Sequence, residues 1–453
     1  MEQMGARKID PTIFKAYDIR GTYPEQIDED ICYRIARAYV AFMKCRRVVV
    51  GKDMRESGDS LVAATIQGIT DQGADAVPIG LTSTPMYYYA VNLLAGDAGM
   101  MVTASHNPAC YNGYKMTGLQ AVPSITFISN DELRLRASAG SFPAADRKGV
   151  VLPTEDVLDR YVTAVLANTG VTDFGHLKIA VDTGSGMAGL ILPTLFERVG
   201  NEPIKLYWEI DGSFPHHEAN PLKLETLQTL QQTVVSDRAD MGVAFDGDGD
   251  RVGFVDEHGE LISGDLVVAL LARVMLRKRP GAKIFYDVRC SWVVAEEIEK
   301  AGGIPVRCRV GHGLIKKQMR EEGGYFGGEL SSHYYFSDFY YTDNGDLAFV
   351  NMVKLLLSEG KPLSELVAPL KRYYHTPEIN SEVRDIPSKL VQLKTAYAGG
   401  KMNELDGLTV EFGDWWFNVR PSNTEPLVRL NLEAKTKELM EEKTDEVLSI
   451  IRS

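Results

Sequence analysis

The chain has 453 residues, 44% of them hydrophobic and 25% charged, with a formal net charge of −13. The length predicts about three domains, within a range of roughly two to four, and the composition is that of an ordinary globular protein. The acidic balance argues against non-specific binding to nucleic acid or to an anionic membrane, yet permits a locally basic pocket for an anionic substrate.

In chain order, the opening MEQMGARKIDPTIF has no apolar core of signal-peptide length. Tyr17-Asp18-Ile19-Arg20-Gly21 then sets an arginine in a turn, where a structural salt bridge is as good a reading as a functional contact. Arg47–Gly51 reads as a strand, followed by a helix through about Gln72 and a second strand, Ala76–Gly80. Apolar Ala98–Val102 runs into Thr103-Ala104-Ser105-His106-Asn107-Pro108, with Asn112-Gly113-Tyr114-Lys115 close behind. A serine at the end of a buried strand is fixed yet reachable, as a nucleophile must be.

Lys178–Asp182, a helix over Ala188–Val199 and the strand Ile204–Trp208 repeat that grammar. Gly184-Ser185-Gly186-Met187-Ala188-Gly189 between them fits the dinucleotide fingerprint G-x-G-x-x-G, and a tight strand-to-helix turn is the better account of its glycines. Asp246-Gly247-Asp248-Gly249-Asp250-Arg251 lies between apolar Met241–Phe245 and Val252–Val255. Two glycines let the three carboxylates converge, and carboxylates about 4 Å apart repel by about 4 kcal/mol per pair at an effective dielectric of about 20. A divalent cation removes that repulsion, and so small a carboxylate set suits Mg²⁺ better than Ca²⁺. A solvated acidic turn and an EF-hand compete; Arg251 stands where the EF-hand requires glycine, and the flanks read as strands.

Leu266–Leu276, the longest apolar run, is broken by Arg273 and is too short to span a bilayer. Lys283–Asp287, a helix through about Ala301 and Ile304–Val306 form a third strand–helix–strand unit. Gly327–His333 is a glycine-led loop whose carboxylate, hydroxyls and imidazole suit sugar hydroxyls and proton movement, or else a polar surface turn. Leu408–Phe412 and Trp415–Val419 alternate like a hairpin across Gly413-Asp414, Val428–Leu432 follows as a strand, and Lys437–Ile451 is an amphipathic helix. Arg420-Pro421-Ser422-Asn423-Thr424-Glu425-Pro426 offers a guanidinium, hydroxyls and backbone N–H groups, a phosphate cradle or a proline-flanked turn. The five cysteines include no C-x-x-C pair and read as reduced thiols of a cytoplasmic protein. Strand–helix–strand alternation predicts three consecutive α/β domains with mainly parallel mixed sheets, then a smaller α+β domain. Boundaries are expected after residues 152, 254 and 374.

Together YDIRG at 17–21, TASHNP at 103–108, NGYK at 112–115, DGDGDR at 246–251, GELSSH at 328–333 and RPSNTEP at 420–426 resemble the α-D-phosphohexomutase family. The match is to its phosphomannomutase/phosphoglucomutase branch, in family order over nearly the whole chain. The resemblance implies four domains around a central cleft. It implies that Ser105 carries a phosphoryl group, and that Asp246, Asp248, Asp250 and a phosphoserine oxygen hold Mg²⁺. It places His106 and Lys115 around the transferring phosphoryl, Glu329, Ser331 and His333 on the sugar, and Arg420, Ser422, Asn423 and Thr424 on the non-reacting phosphate. Tyr17, Arg20, Arg251 and His312 match further active-site positions. Arg289 stands where the family often has lysine, and Ser332 where glycine or alanine is common.

The implied reaction interconverts hexose 6-phosphate and hexose 1-phosphate through a hexose 1,6-bisphosphate, with Lys115 the first choice of acid/base and His333 the second. Leu330 tilts the sugar toward mannose or glucose. A phosphoglucosamine mutase and a metal-dependent sugar-phosphate phosphatase are the alternatives. Small sugar phosphates are the expected partners, not nucleic acid or membrane, for a monomer or small homo-oligomer.

Overall fold

The computed structural model describes residues 8–422 and 427–453. They fall into two compact units, described separately below: residues up to Ile262 with Ser332–Leu363, and Ser263–Ser331 with Ser364–Ser453.

The first unit contains two five-stranded sheets built to one plan. Strands β1 (Ile19–Thr22), β2 (Arg47–Lys52), β3 (Asp75–Leu81), β4 (Ala98–Val102) and β5 (Tyr111–Gly118) lie in the order β1-β5-β4-β2-β3. The trio β4-β2-β3 is parallel, while β5 runs antiparallel to β4 and β1 to β5. Helices Glu29–Met43 and Gly58–Asp71 bury Ile31, Ile35, Tyr39 and Leu61 in the core that takes Val48, Val50, Met100 and Val102 from the sheet. Asp28 starts the first helix by accepting the Ile31 N–H, and Glu29 and Asp30 complement the helix dipole.

The second sheet joins β6 (Ile179–Asp182), β7 (Ile204–Leu206), β8 (Met241–Phe245), β9 (Val252–Asp256) and β10 (Leu261–Ile262) in the order β10-β9-β8-β6-β7. Again a parallel trio, β8-β6-β7, is followed by an antiparallel strand, β9. The expected strand 204–208 stops at Leu206 because Tyr207 turns left-handed, with φ 56°, and Trp208 folds back to donate its indole N–H to the Val181 carbonyl.

Helix Leu158–Thr169 meets helix Gly345–Glu359 through Tyr161, whose hydroxyl donates to Asp346 Oδ2 at 2.6 Å. Burial pushes the Asp346 carboxyl up to about 7, against the lowering effect of Tyr161. The unfolded chain loses this proton near 3.8 and the folded chain near 7, so folded stability falls as pH rises through that window. Asp346→Asn should remove this term. Thermal melts of the two proteins are expected to diverge in favour of the variant as pH rises from about 4 to about 7, by at most about 4 kcal/mol. Parallel melting curves would contradict the assignment.

In the second unit β11 (Lys283–Asp287) lies between β12 (Ile304–Cys308) and β13 (Phe326–Gly328), all parallel. The C-terminal sheet is antiparallel, with Trp415–Pro421 central between Leu408–Glu411 and Leu427–Ala434, and helix Lys437–Arg452 covering one face. Trp292 ties this sheet to the α/β layer: its N–H donates to Glu433 and its indole to Glu411. Among the described residues no helix is long and apolar enough to cross a membrane.

Candidate active site

All five residues of β4 are buried, so its end is a fixed point. Thr103–Pro108 turns from there into β5, and Ser105 takes a left-handed backbone with φ 52°, a conformation that costs a residue with a Cβ free energy. Its N–H donates to Thr103 Oγ1 at 2.9 Å, and its carbonyl accepts from Arg55 Nη2 at 2.8 Å. Arg55 is fully enclosed; it also donates to the carbonyls of Asn107, Pro108 and Tyr111, and through Nε to Asp53. One rigid planar fork thereby holds the whole serine loop.

The aspartates occupy the turn between β8 and β9. Gly249 supplies a φ of 76° there, and a Cβ on Gly247 would come within 2.6 Å of the Ser105 carbonyl oxygen. The serine and aspartate loops are therefore packed backbone to backbone. Gly247→Ala is expected to push them apart and cost about a hundredfold in turnover, with the melting temperature much less affected; unchanged turnover would show the loops tolerate separation.

Ser105 Oγ donates to Asp246 Oδ2 at 2.9 Å and lies 3.1 Å from His106 Nδ1. Asp246, Asp248 and Asp250 are fully buried, and each offers an oxygen within 4.8 Å of the others. Burial, then Asp250 and Asp248, raise the Asp246 carboxyl well above the usual range. Burial acts on Asp250 too, but Lys115 and His333 outweigh it and leave that carboxyl well below the usual range. Lys115 projects from β5 with Nζ 2.7 Å from Asp248 Oδ2 and also bonded to Asp250 Oδ2. Burial disfavours its charge, but these carboxylates overcome burial and hold it as ammonium. Among the described residues Asp248 Oδ1 and Asp250 Oδ1 are buried with no hydrogen-bond partner. Buried acceptor oxygens without donors are costly, and this carboxylate group could hold a hard divalent cation.

Cations and imidazoles surround the serine. Arg20 donates to Asn107 Oδ1 at 2.7 Å and to Asp18 Oδ2 at 2.9 Å, with Tyr17 near enough to influence its charge. Burial, then Arg251 and Arg20, pull His106 well below its usual pKa, so it is neutral. Arg251 Nε donates to His333 Nε2 at 3.1 Å, and that nitrogen is 3.5 Å from Asp250 Oδ1.

The second unit holds the remaining expected residues. Asp287, at the end of β11, accepts from Arg289 Nε and Nη2 and from the Leu330 N–H, fixing both the arginine and the loop after β13. Glu329 is buried and accepts the Gly311 N–H at 2.8 Å, next to His312 at the start of helix His312–Glu322. Ser331 is half-buried. Arg420 is 5% exposed; its Nη2 donates to Glu378 Oε2 at 2.7 Å, and its Nε is buried without a partner among the described residues. The Ser422 N–H donates to the Leu427 carbonyl, whereas Asn423 and Thr424 lie outside the described residues.

Four family models match the chain in order: phosphoglucomutase/phosphomannomutase domain I at residues 11–129, domain II at 159–259, domain III at 263–373 and the C-terminal domain at 378–450. The chain belongs to the phosphoglucomutase/phosphomannomutase family. It is 38% identical over 452 residues to a phosphomannomutase of Salmonella montevideo, covering 98% of this chain and 99% of the relative. Its identity to a protein of Xanthomonas campestris named for phosphohexose mutases is 37% over 448 residues, covering 97% and 99% of the two chains. The crystal structure of a phosphoglucomutase/phosphomannomutase family protein from Burkholderia thailandensis superimposes with a TM-score of 0.89 at 34% identity, over 98% of this chain and 97% of that one. As a member of this phosphohexomutase family the protein is a mutase, an isomerase-class enzyme of carbohydrate metabolism.

Residues that sequence reasoning passed over fill the space around this mutase site. Thr84 donates both N–H and hydroxyl to Asp248, and Asp53 joins Arg55 to Thr103. Charged Asp53 and Arg55 directly after an apolar strand were the available signal. The 184–189 glycines serve packing: a Cβ on Gly186 would come within 2.9 Å of the Gly247 carbonyl, and one on Gly189 within 2.6 Å of the Trp208 carbonyl.

Proposed function

We propose that this phosphohexomutase interconverts the 6- and 1-phosphates of mannose or glucose through a phosphorylated Ser105 and a hexose 1,6-bisphosphate. The observation that carries the reading is the 2.9 Å bond from Ser105 Oγ to Asp246, inside a buried group with Asp248, Asp250 and Lys115. Mg²⁺ held by Asp246, Asp248, Asp250 and a phosphoserine oxygen would supply the positive charge that stabilises the transferring phosphoryl group.

The residues themselves account for the remaining steps. Arg55 and Thr103 aim the serine; Arg20, His106 and Arg251 line its surroundings. The substrate's own phosphate sits on Arg420 and Ser422, with Asn423 and Thr424 completing that loop by family resemblance. Glu329, Ser331 and His312 contact the sugar, and Arg289 lies near the phosphate. A free sugar hydroxyl attacks phosphorus, the bond from phosphorus to Ser105 Oγ breaks, and a bisphosphorylated sugar forms. The hydroxyl's proton passes to an acid/base group: Lys115 is the first assignment, able to accept it only once Asp248 and Asp250 are engaged by the cation and no longer hold it as ammonium, and His333 is the second. After the intermediate turns over, its other phosphate returns to Ser105.

The relatives' names support mannose as a substrate. Intact mass spectrometry tests the mechanism: a fraction of chains should be heavier by one phosphoryl group and lose it on incubation with mannose 6-phosphate. A chain never phosphorylated in any preparation, yet active, would sink the reading. Initial rates with mannose, glucose and glucosamine phosphates then rank the sugars.

A further inference from the structure

Arg420, Arg289 and Arg429 in the second unit share a carboxylate that the family motifs do not include. Glu378 precedes the edge strand Ile379–Glu382. Its Oε2 accepts from Arg420 Nη2 at 2.7 Å and lies 3.9 Å from Arg289 Nη1, while its Oε1 accepts from Arg429 Nη1 at 3.1 Å. The side chain is 24% exposed, so it can withdraw toward solvent. Burial raises its pKa, but Arg420, Arg289 and Arg429 more than reverse that and leave it below the usual carboxylate value. Among the described residues the arginine set is not saturated: Arg420 Nε is buried without a partner, and so is Arg429 Nε. The Glu378 carboxylate thus offers those guanidinium forks the charge-assisted bonds that a phosphate's oxygens would offer in the same place.

We propose that Glu378 is an internal competitor for the substrate's phosphate, holding Arg420 and Arg429 in position and displacing the phosphate when the bisphosphate intermediate must let go and turn. The inference rests on the assignment of Arg420 to the non-reacting phosphate. Such a reaction gains nothing from the tightest grip: a phosphate held by uncompensated arginines would bind well and reorient slowly. A carboxylate already bonded to those arginines lowers the cost of release, because the guanidinium groups exchange one anion for another.

Glu378→Gln keeps the size and the carbonyl acceptor but removes the charge. Titration calorimetry with mannose 6-phosphate, on Ser105→Ala protein to prevent turnover, is expected to give binding on the order of tenfold tighter in Glu378→Gln, from Coulomb repulsion across about 5 Å at water-like screening. In the otherwise native enzyme both KM and kcat should fall. A residue of purely structural importance would instead weaken binding and raise KM, and that result would overturn the proposal. Glu378→Asp keeps the charge but draws it back from Arg420, and should fall between the two proteins; this variant decides the matter if the glutamine form does not fold. Arg420→Ala separates the two levels of the argument. Unchanged affinity in Arg420→Ala would refute the phosphate assignment itself, whereas affinity lost there but not gained in Glu378→Gln would refute only the competitor role.

Discussion

Ser105→Ala is expected to lose mutase activity by about ten-thousand-fold or more, because no other hydroxyl stands where Oγ does and a covalent carrier has no partial substitute. The fold should survive. Oγ makes two hydrogen bonds, to Asp246 and His106, while the backbone N–H and carbonyl that hold the loop to Thr103 and Arg55 remain. Circular dichroism and the melting temperature should stay close to those of the native protein, and the phosphorylated species should vanish from the mass spectrum. A variant that still interconverted mannose phosphates at more than about a thousandth of the native rate would exclude Ser105 as the carrier.

Lys115→Met should produce the second-largest loss, of different character. Removing the ammonium leaves Asp248 and Asp250 buried with one cation fewer, and breaking a buried pair from one side costs about 3–5 kcal/mol. Turnover should fall by about a thousandfold. The melting temperature should also fall, and added Mg²⁺ should restore more of it than it adds to the native protein, because the metal would then be the chief charge compensating those oxygens. Lys115→Arg supplies the contrast. It keeps the charge, so melting should largely recover; it loses the transferable proton, so turnover should not. If arginine restored both, Lys115 would be a counter-ion and the proton transfer would belong to His333.

The sequence made the chemistry readable where it is local and left it hidden where it is assembled across the chain. The serine and aspartate loops each carry their reactive groups within six residues, beside strands whose apolar runs announce them. The parallel strand pairs were legible for the same reason, each apolar run being followed by a helix and its partner. Arg55 was not, because its carbonyl acceptors lie about fifty residues away and carbonyls leave no trace in side-chain identity. Thr84 reaches Asp248 across 164 positions, and a threonine at the start of a helix reads as a cap. Glu378 sits in an unremarkable Thr-Pro-Glu turn, and only the folded sheet brings Arg420 and Arg429 to it. The antiparallel return strand β5 was also missed as a sheet member, since it is rich in glycine and polar groups and has no apolar run to mark it, whereas apolar Val252–Val255 announced β9.

The plan shared by the sheets has a consequence for how such an enzyme diversifies. The serine loop follows the last strand of one parallel trio, the aspartate loop follows that of the next, and the loop with Glu329 and Ser331 follows β13 in the third. The same bend thus carries three different sets of polar groups. With the sugar contacts proposed for the third, substitutions there would alter which sugar is accepted while leaving the bonds that aim the serine in place, a division of labour among modules that a single-sheet enzyme cannot offer.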